Sequence, residues 1–187
     1  MRIHTSRSLA LMIPLIASLM SGCAGTVVHM QEFAADKAPV APASGKAAVV
    51  FLRPSGFGYA IQSSVFEVKD NRSLFVGILA AKAKVAYDVE PGKHLFMVIG
   101  ENADFMTSDL APNRTYYVKV SPRMGLWKAR FGLEPVRGKE LNAADFNSSL
   151  AECRWVENTA ASESWARDNM ASIESKRADF YPDWVKQ

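Results

Sequence analysis

The chain has 187 residues, with 22 basic and 19 acidic side chains and a formal charge of +3, a size that suits one ordinary domain with appendages. Two of the bases, Arg2 and Arg7, lie at the very start, and the longest basic run is Lys176-Arg177. A nucleic-acid binder needs a clustered basic face, so that class of partner is excluded.

Arg2 and Arg7 precede an uncharged run from Leu9 to Leu19, and small residues then lead to one cysteine: Met20-Ser21-Gly22-Cys23. A basic start, a short apolar core and small residues before a cut mark residues 1–22 as a secretory signal. The run is too short, and too interrupted by Pro14, for a good spanning helix. The ending resembles the bacterial lipobox, with Met20 in place of the usual Leu. That resemblance implies that Cys23 is lipidated and becomes the new N-terminus. Ala24, where an Asp would retain the protein, resembles the sorting pattern for the outer membrane. The expected location is therefore the cell envelope, lipid-anchored at the periplasmic face of the outer membrane. Cys153 is then left without a partner in the chain and is expected as a buried small hydrophobe.

Residues 23–46 are rich in Ala, Pro, Ser and Gly and read as a lipidated Cys followed by a flexible tether spanning roughly 25 Å. From 47 to 136 the period is two. Val85, Tyr87 and Val89, then Tyr116, Val118 and Val120, then Trp127, Ala129, Phe131 and Leu133 alternate with polar or small residues. Val49 to Leu52 and Leu95 to Ile99 are apolar on both faces and are expected as central strands. Turn signals at Pro54-Ser55-Gly56, Asp70-Asn71, Glu90-Pro91-Gly92, Glu101-Asn102 and Pro112-Asn113 separate the runs. The pattern predicts a mainly β chain: an antiparallel, immunoglobulin-like β-sandwich of seven to eight strands. Leu110-x-Pro112 followed by Tyr116 resembles a tyrosine corner, so Tyr116 is assigned a structural role.

After Gly138 the period lengthens, and residues 137–187 are expected as a helical C-terminal extension. Ala143, Phe146, Leu150 and Cys153 share one helical face. A second helix is predicted from about Ala160 to Phe180, with Ala166, Met170, Ile173 and Phe180 as its stripe and Arg177 interrupting it. Thr159 or Ser162 is its cap, and Tyr181-Pro182 its end. Trp155, Trp165 and Trp184 are expected to fasten the helices to the sheet. An exposed stripe would make this extension an interaction surface, and a buried one a lid.

Chemistry-bearing residues are sparse. Of three histidines, His4 is in the signal, His29 in the tether, and His94 alone in the domain; His94 is expected at the surface where a strand begins. No catalytic residue, metal site or cofactor is assigned. Gly56-Phe57-Gly58-Tyr59 lacks the third glycine and the following helix of a phosphate-binding turn. Its aromatics are instead candidate partner contacts at a loop tip, the ordinary reading being local packing. Glu101, Asn102 and Asp104 match no calcium loop and are expected as a solvated hairpin. Lys128 and Arg130, near Arg123 and Trp127, are the other candidate partner contacts, the alternative being a ladder of charges facing water.

Val50-Phe51-Leu52-Arg53-Pro54, Val89-Glu90-Pro91-Gly92-Lys93-His94, Thr115-Tyr116-Tyr117-Val118-Lys119-Val120 and Gly125-Leu126-Trp127 resemble a family of uncharacterised bacterial lipoproteins that carry a domain of unknown function. The Pro-Gly-Lys-His turn is also similar to the small "PEGA" type of β-domain. The resemblance covers about residues 47–136 and implies a β-sandwich with no assigned activity. The expectation is a non-enzymatic binding or structural module of the envelope, its partner an envelope protein or peptidoglycan. The alternative is a hydrolase using carboxylates such as Asp104 and Asp109, or a small-ligand-binding protein, acting on envelope polymers.

Overall fold

A computed structural model describes residues 29–38, 41–124 and 129–187. The signal segment, Cys23, the stretch Gly125 to Trp127 and Lys128 lie outside the described residues. The strands are β1 (Met30–Phe33), β2 (Ala47–Arg53), β3 (Ser63–Lys69), β4 (Arg72–Leu79), β5 (Ala83–Val89), β6 (Gly92–Ile99), β7 (Ala103–Leu110), β8 (Thr115–Met124), β9 (Ala129–Pro135) and β10 (Arg154–Asn158). Two helices, α1 (Ala144–Glu152) and α2 (Ala160–Trp184), flank β10.

The strands form a six-stranded sheet in the order β1-β10-β5-β2-β8-β9 and a four-stranded sheet in the order β4-β3-β6-β7. The apolar rows legible in the sequence meet between them: Val85 and Val89, Val118 and Val120, Phe131 and Leu133 face Val65, Phe96, Val98 and Met106. As expected, Val49–Leu52 and Leu95–Ile99 lie in central strands, β2 between β5 and β8, and β6 between β3 and β7. Eight strands lie between 47 and 135, and β1 and β10 extend the larger sheet. The pairings are not all antiparallel, since β2 runs parallel to β8 and β10 to β5. Nor is the order that of immunoglobulin constant domains, ABED against CFG: here the first sandwich strand lies between the fourth and the seventh.

β1 arises inside the segment read as tether. It pairs with β10 from Met30↔Asn158 to Phe33↔Trp155, and Phe33 stacks on Trp155 with centroids 6.0 Å apart. Gly77 admits the Met30 methyl, which would lie 3.2 Å from any Cβ there. Trp155 therefore fastens two strands rather than a helix. The two-residue turn between β3 and β4 works because Asp70 and Asn71 accept φ of 48° and 59°, the left-handed values a tight hairpin requires.

Each sheet is covered on its outer face. Leu52, Val136, Phe146 and Cys153, with Tyr117 and Leu150, bind α1 to the larger sheet. Burial there pushes the Cys153 thiol up to about 11, so it is protonated and unreactive at neutral pH. Phe66, Met97, Ile99, Phe105 and Ile173 form a second core between the smaller sheet and α2, joined by Trp165, Met170, Tyr181 and Trp184. The stripe of α2 is therefore covered, and the helix is a lid. Thr159 and Ser162 both cap it, each side chain bonding the other's backbone N–H.

Two details of α2 differ from expectation. The helix continues through Pro182 to Trp184, because Tyr181 and Trp184 dock on Phe105 at centroid distances of 5.2 and 5.7 Å. Phe180 instead lies off the stripe and is exposed. Arg177 does not interrupt the packing but latches it, donating to the Asn71 carbonyl and side chain and to Glu174. Burial works against the Glu174 carboxylate, yet Arg177 and the Ser73 N–H hold it below its ordinary pKa. Phe105→Ala is expected to cost about 3–5 kcal/mol in denaturant unfolding, and to raise hydrogen exchange selectively along α2.

Candidate binding site

Arg53 ends the central strand β2 and is completely buried. No acidic side chain among the described residues offsets its charge, and burial lowers its pKa to about 10, still protonated at neutral pH. The following loop closes over the guanidinium instead. Nη1 donates to the Ile61 carbonyl at 2.5 Å, and Nη2 donates to the Phe57 and Gly58 carbonyls at 3.0 and 2.8 Å. The Phe131 ring lies beneath, 4.7 Å from Cζ, in a cation–π contact. Gly58, at φ 65°, supplies the left-handed turn that brings two successive carbonyls to one nitrogen.

With its carbonyls turned inward, the loop turns its side chains outward. Phe57 is 54% exposed, Tyr59 59% and Ile61 39%. Behind Ile61 opens a cleft of about 400 Å³, bounded by the loop, the Ile99 end of the smaller sheet and α2, within the size range of small-molecule sites. Its walls include His29, Gln62, Trp165, Asn169 and Lys176. Lys176 is fixed by donating to the Gly100 carbonyl at 2.5 Å, and Asn169 by donating to the Trp165 carbonyl at 2.8 Å. The cleft thus offers an indole and aliphatic walls with polar groups at the rim, a surface for holding a ligand segment.

At the other end of the sandwich, His94 is not the surface residue expected. Its Nδ1 lies 2.7 Å from Glu67 Oε1 and its Nε2 lies 2.7 Å from the Glu90 carbonyl. The Tyr87 hydroxyl donates to Glu67 Oε2 at 2.8 Å. Nε2 must carry a proton to meet a carbonyl, so Nδ1 and Glu67 share the remaining hydrogen bond. Burial, reinforced by Glu67, raises the Tyr87 pKa and keeps it a donor. Glu67 belongs to the smaller sheet and Tyr87 to the larger, so the cluster ties the layers together. Periodicity misses it, because a strand Glu on the inward parity is indistinguishable from a polar interruption until its partners arrive from β5 and β6.

The remaining sequence candidates are dispersed. Phe57 and Tyr59 share the loop just described. Arg130 is exposed on β9, opposite Arg123 in register, on the parity facing away from Phe131. Lys128 lies outside the described residues. Tyr116 accepts a hydrogen bond from the Ala111 N–H at 2.9 Å, the upstream backbone contact of a tyrosine corner. Glu101, Asn102 and Asp104 lie at the β6–β7 hairpin as expected, with Glu101 exposed, but Asn102 and Asp104 are turned to β9 rather than to solvent. Asn102 bonds both the N–H and the carbonyl of Phe131, and Asp104 accepts from the Leu133 N–H at 3.0 Å. Asp104 and Asp109 stand five residues apart on β7, hence on opposite faces and about 17 Å apart. They do not form a pair. Among the described residues no group of three or more His, Cys, Asp or Glu is placed to hold a metal ion, and no helix is long and apolar enough to cross a membrane.

Two substitutions separate the roles of these clusters. Arg53→Met leaves the loop carbonyls without donors, a cost of about 1–3 kcal/mol for each that water does not reach. It should accelerate hydrogen exchange and proteolysis within residues 55–62, and Arg53→Lys should do so partially, since an ammonium lacks the planar fork. Glu67→Gln disturbs a buried hydrogen-bonded cluster and is expected to lower unfolding stability by about 1–3 kcal/mol without altering exchange in that loop.

Comparison with known proteins leaves the site to be read from its own geometry. No protein-family model matches the chain, and no curated protein sequence matches it.

Proposed function

We propose that this chain is a lipid-anchored, non-enzymatic binding module of the cell envelope, tethered through Cys23 at the periplasmic face of the outer membrane. Its ligand is a segment of an envelope protein or of peptidoglycan, received in the cleft between loop 54–62 and α2. The observation that carries this reading is the fixed cleft: a buried guanidinium holds the loop backbone that forms one wall, and Trp165, Asn169 and Lys176 of α2 form the other. Loops placed by a stiff scaffold are where binding residues concentrate. The sandwich is immunoglobulin-like in the architectural sense of two packed sheets with recognition at an end, although its strand order is its own.

A photocrosslinking residue at Asn169, on the cleft wall, tests this in intact cells. One dominant adduct, an envelope protein or a peptidoglycan fragment, is expected from the wild-type anchor and is expected to fall when Cys23→Ala removes the lipid. An unchanged adduct profile in Cys23→Ala, or none above background, overturns the reading.

A further inference from the structure

We propose that loop 54–62 is a membrane contact: Phe57, Tyr59 and Ile61 enter the interfacial layer of the bilayer that holds the lipid on Cys23. The inference rests on the anchoring proposed above and specifies what lies against the exposed loop.

The first argument is distance. β1 begins at Met30, and His29 accepts a hydrogen bond from the Thr159 hydroxyl, so the folded body includes residues 29–33 rather than beginning after residue 46. Only six residue steps separate Cys23 from His29, and they reach at most about 20 Å when fully extended. His29 lines the same cleft as Ala60 and Ile61. A lipid on Cys23 therefore brings this end of the sandwich, with its loop, to the bilayer. A tether of the length expected from composition would have left the domain free to stand away.

The second argument is chemical. From Pro54 to Gln62 the loop carries no charged residue, and its three large apolar side chains are those exposed. A loop normally enters an interface at the expense of its backbone, whose carbonyls lose water. Here the carbonyls of Phe57, Gly58 and Ile61 are already bonded to Arg53, so the backbone has less water to give up. Tyr and other aromatic rings favour the headgroup level, where one end is apolar and the other wet. With no basic cluster on the loop, the contact is apolar rather than electrostatic and needs no anionic lipid.

The test uses the full-length lipidated protein in phosphatidylcholine vesicles, with an environment-sensitive fluorophore on Tyr59→Cys or on Lys93→Cys. Cys153 is buried and Cys23 is blocked by its lipid, so labelling is selective. Lys93 is exposed and lies six residues along β6 from the cleft wall at Ile99, about 20 Å away. The expected result is a blue shift and quenching by shallow nitroxide lipids at position 59, neither occurring at 93. Equal, solvent-like emission at both positions overturns the proposal, provided mass spectrometry of the N-terminal peptide shows lipid on Cys23. Shielding at 59 without lipid quenching overturns it in favour of a second copy or a protein partner. An unmodified Cys23 overturns the anchoring reading itself, and the loop's assignment with it.

Discussion

Everything at the cleft end of this molecule depends on one buried charge. Arg53 ends the central strand of the larger sheet, where a guanidinium has neither water nor an acidic partner to stabilise it. Its stability is recovered by backbone dipoles and by the Phe131 ring. Besides the Leu79 carbonyl, those dipoles come from one short segment, which has to curl over the strand end to deliver them. The curl decides which way Phe57, Tyr59 and Ile61 face, and it builds one wall of the cleft. A hydrophobic residue at position 53 would leave the loop only its own bonds, from the Phe57 N–H to Ser55 and from the Ile61 N–H to Gly58, to hold its conformation.

The same principle, side-chain groups standing in for missing backbone partners, closes the edges of the sandwich. β9 and β7 are the outer strands of different sheets, and Asn102 and Asp104 bridge them by taking the outward N–H groups of Phe131 and Leu133. On the opposite side, Asn158 donates to the Val76 carbonyl and Glu174 accepts from Ser73 on β4. Unpaired strand edges template association with other chains, and these four side chains occupy groups on the β9 and β4 edges that would otherwise be open to such pairing. The Tyr87–Glu67–His94 cluster adds a cross-layer tie at the end remote from the cleft.

Much of the fold was legible in the residues. Alternation at Val85–Val89, Tyr116–Val120 and Phe131–Leu133 marked the inward rows, and Asp70-Asn71 marked a tight turn. The switch of period after Gly138 marked the change to helices. Short strands at the sheet margin were not legible. β1 offers four residues of Ala-rich context, and β10 five between two helices, so neither carries a pattern that a tether or a helix lacks. Polar residues with inward parity were also opaque: nothing local sets Arg53, Glu67 and Asp104 apart from solvated strand residues until distant segments supply acceptors and donors. Of the site, Phe57 and Tyr59 were visible as aromatics alternating with glycines, whereas Trp165, Asn169 and Lys176 were hidden in a helix whose role depended on its docking.

By itself the sequence determined the class of architecture, the turns and which strands are central, because these follow from local periodicity and from the few residues that tolerate left-handed backbone. Packing in three dimensions set the rest: that β1 joins the larger sheet, that α2 is a lid, and that a buried arginine displays an apolar loop beside His29. Those outcomes depend on contacts between residues far apart in the chain, such as Met30 with Gly77 and Arg177 with Asn71, and no local pattern encodes where such partners meet.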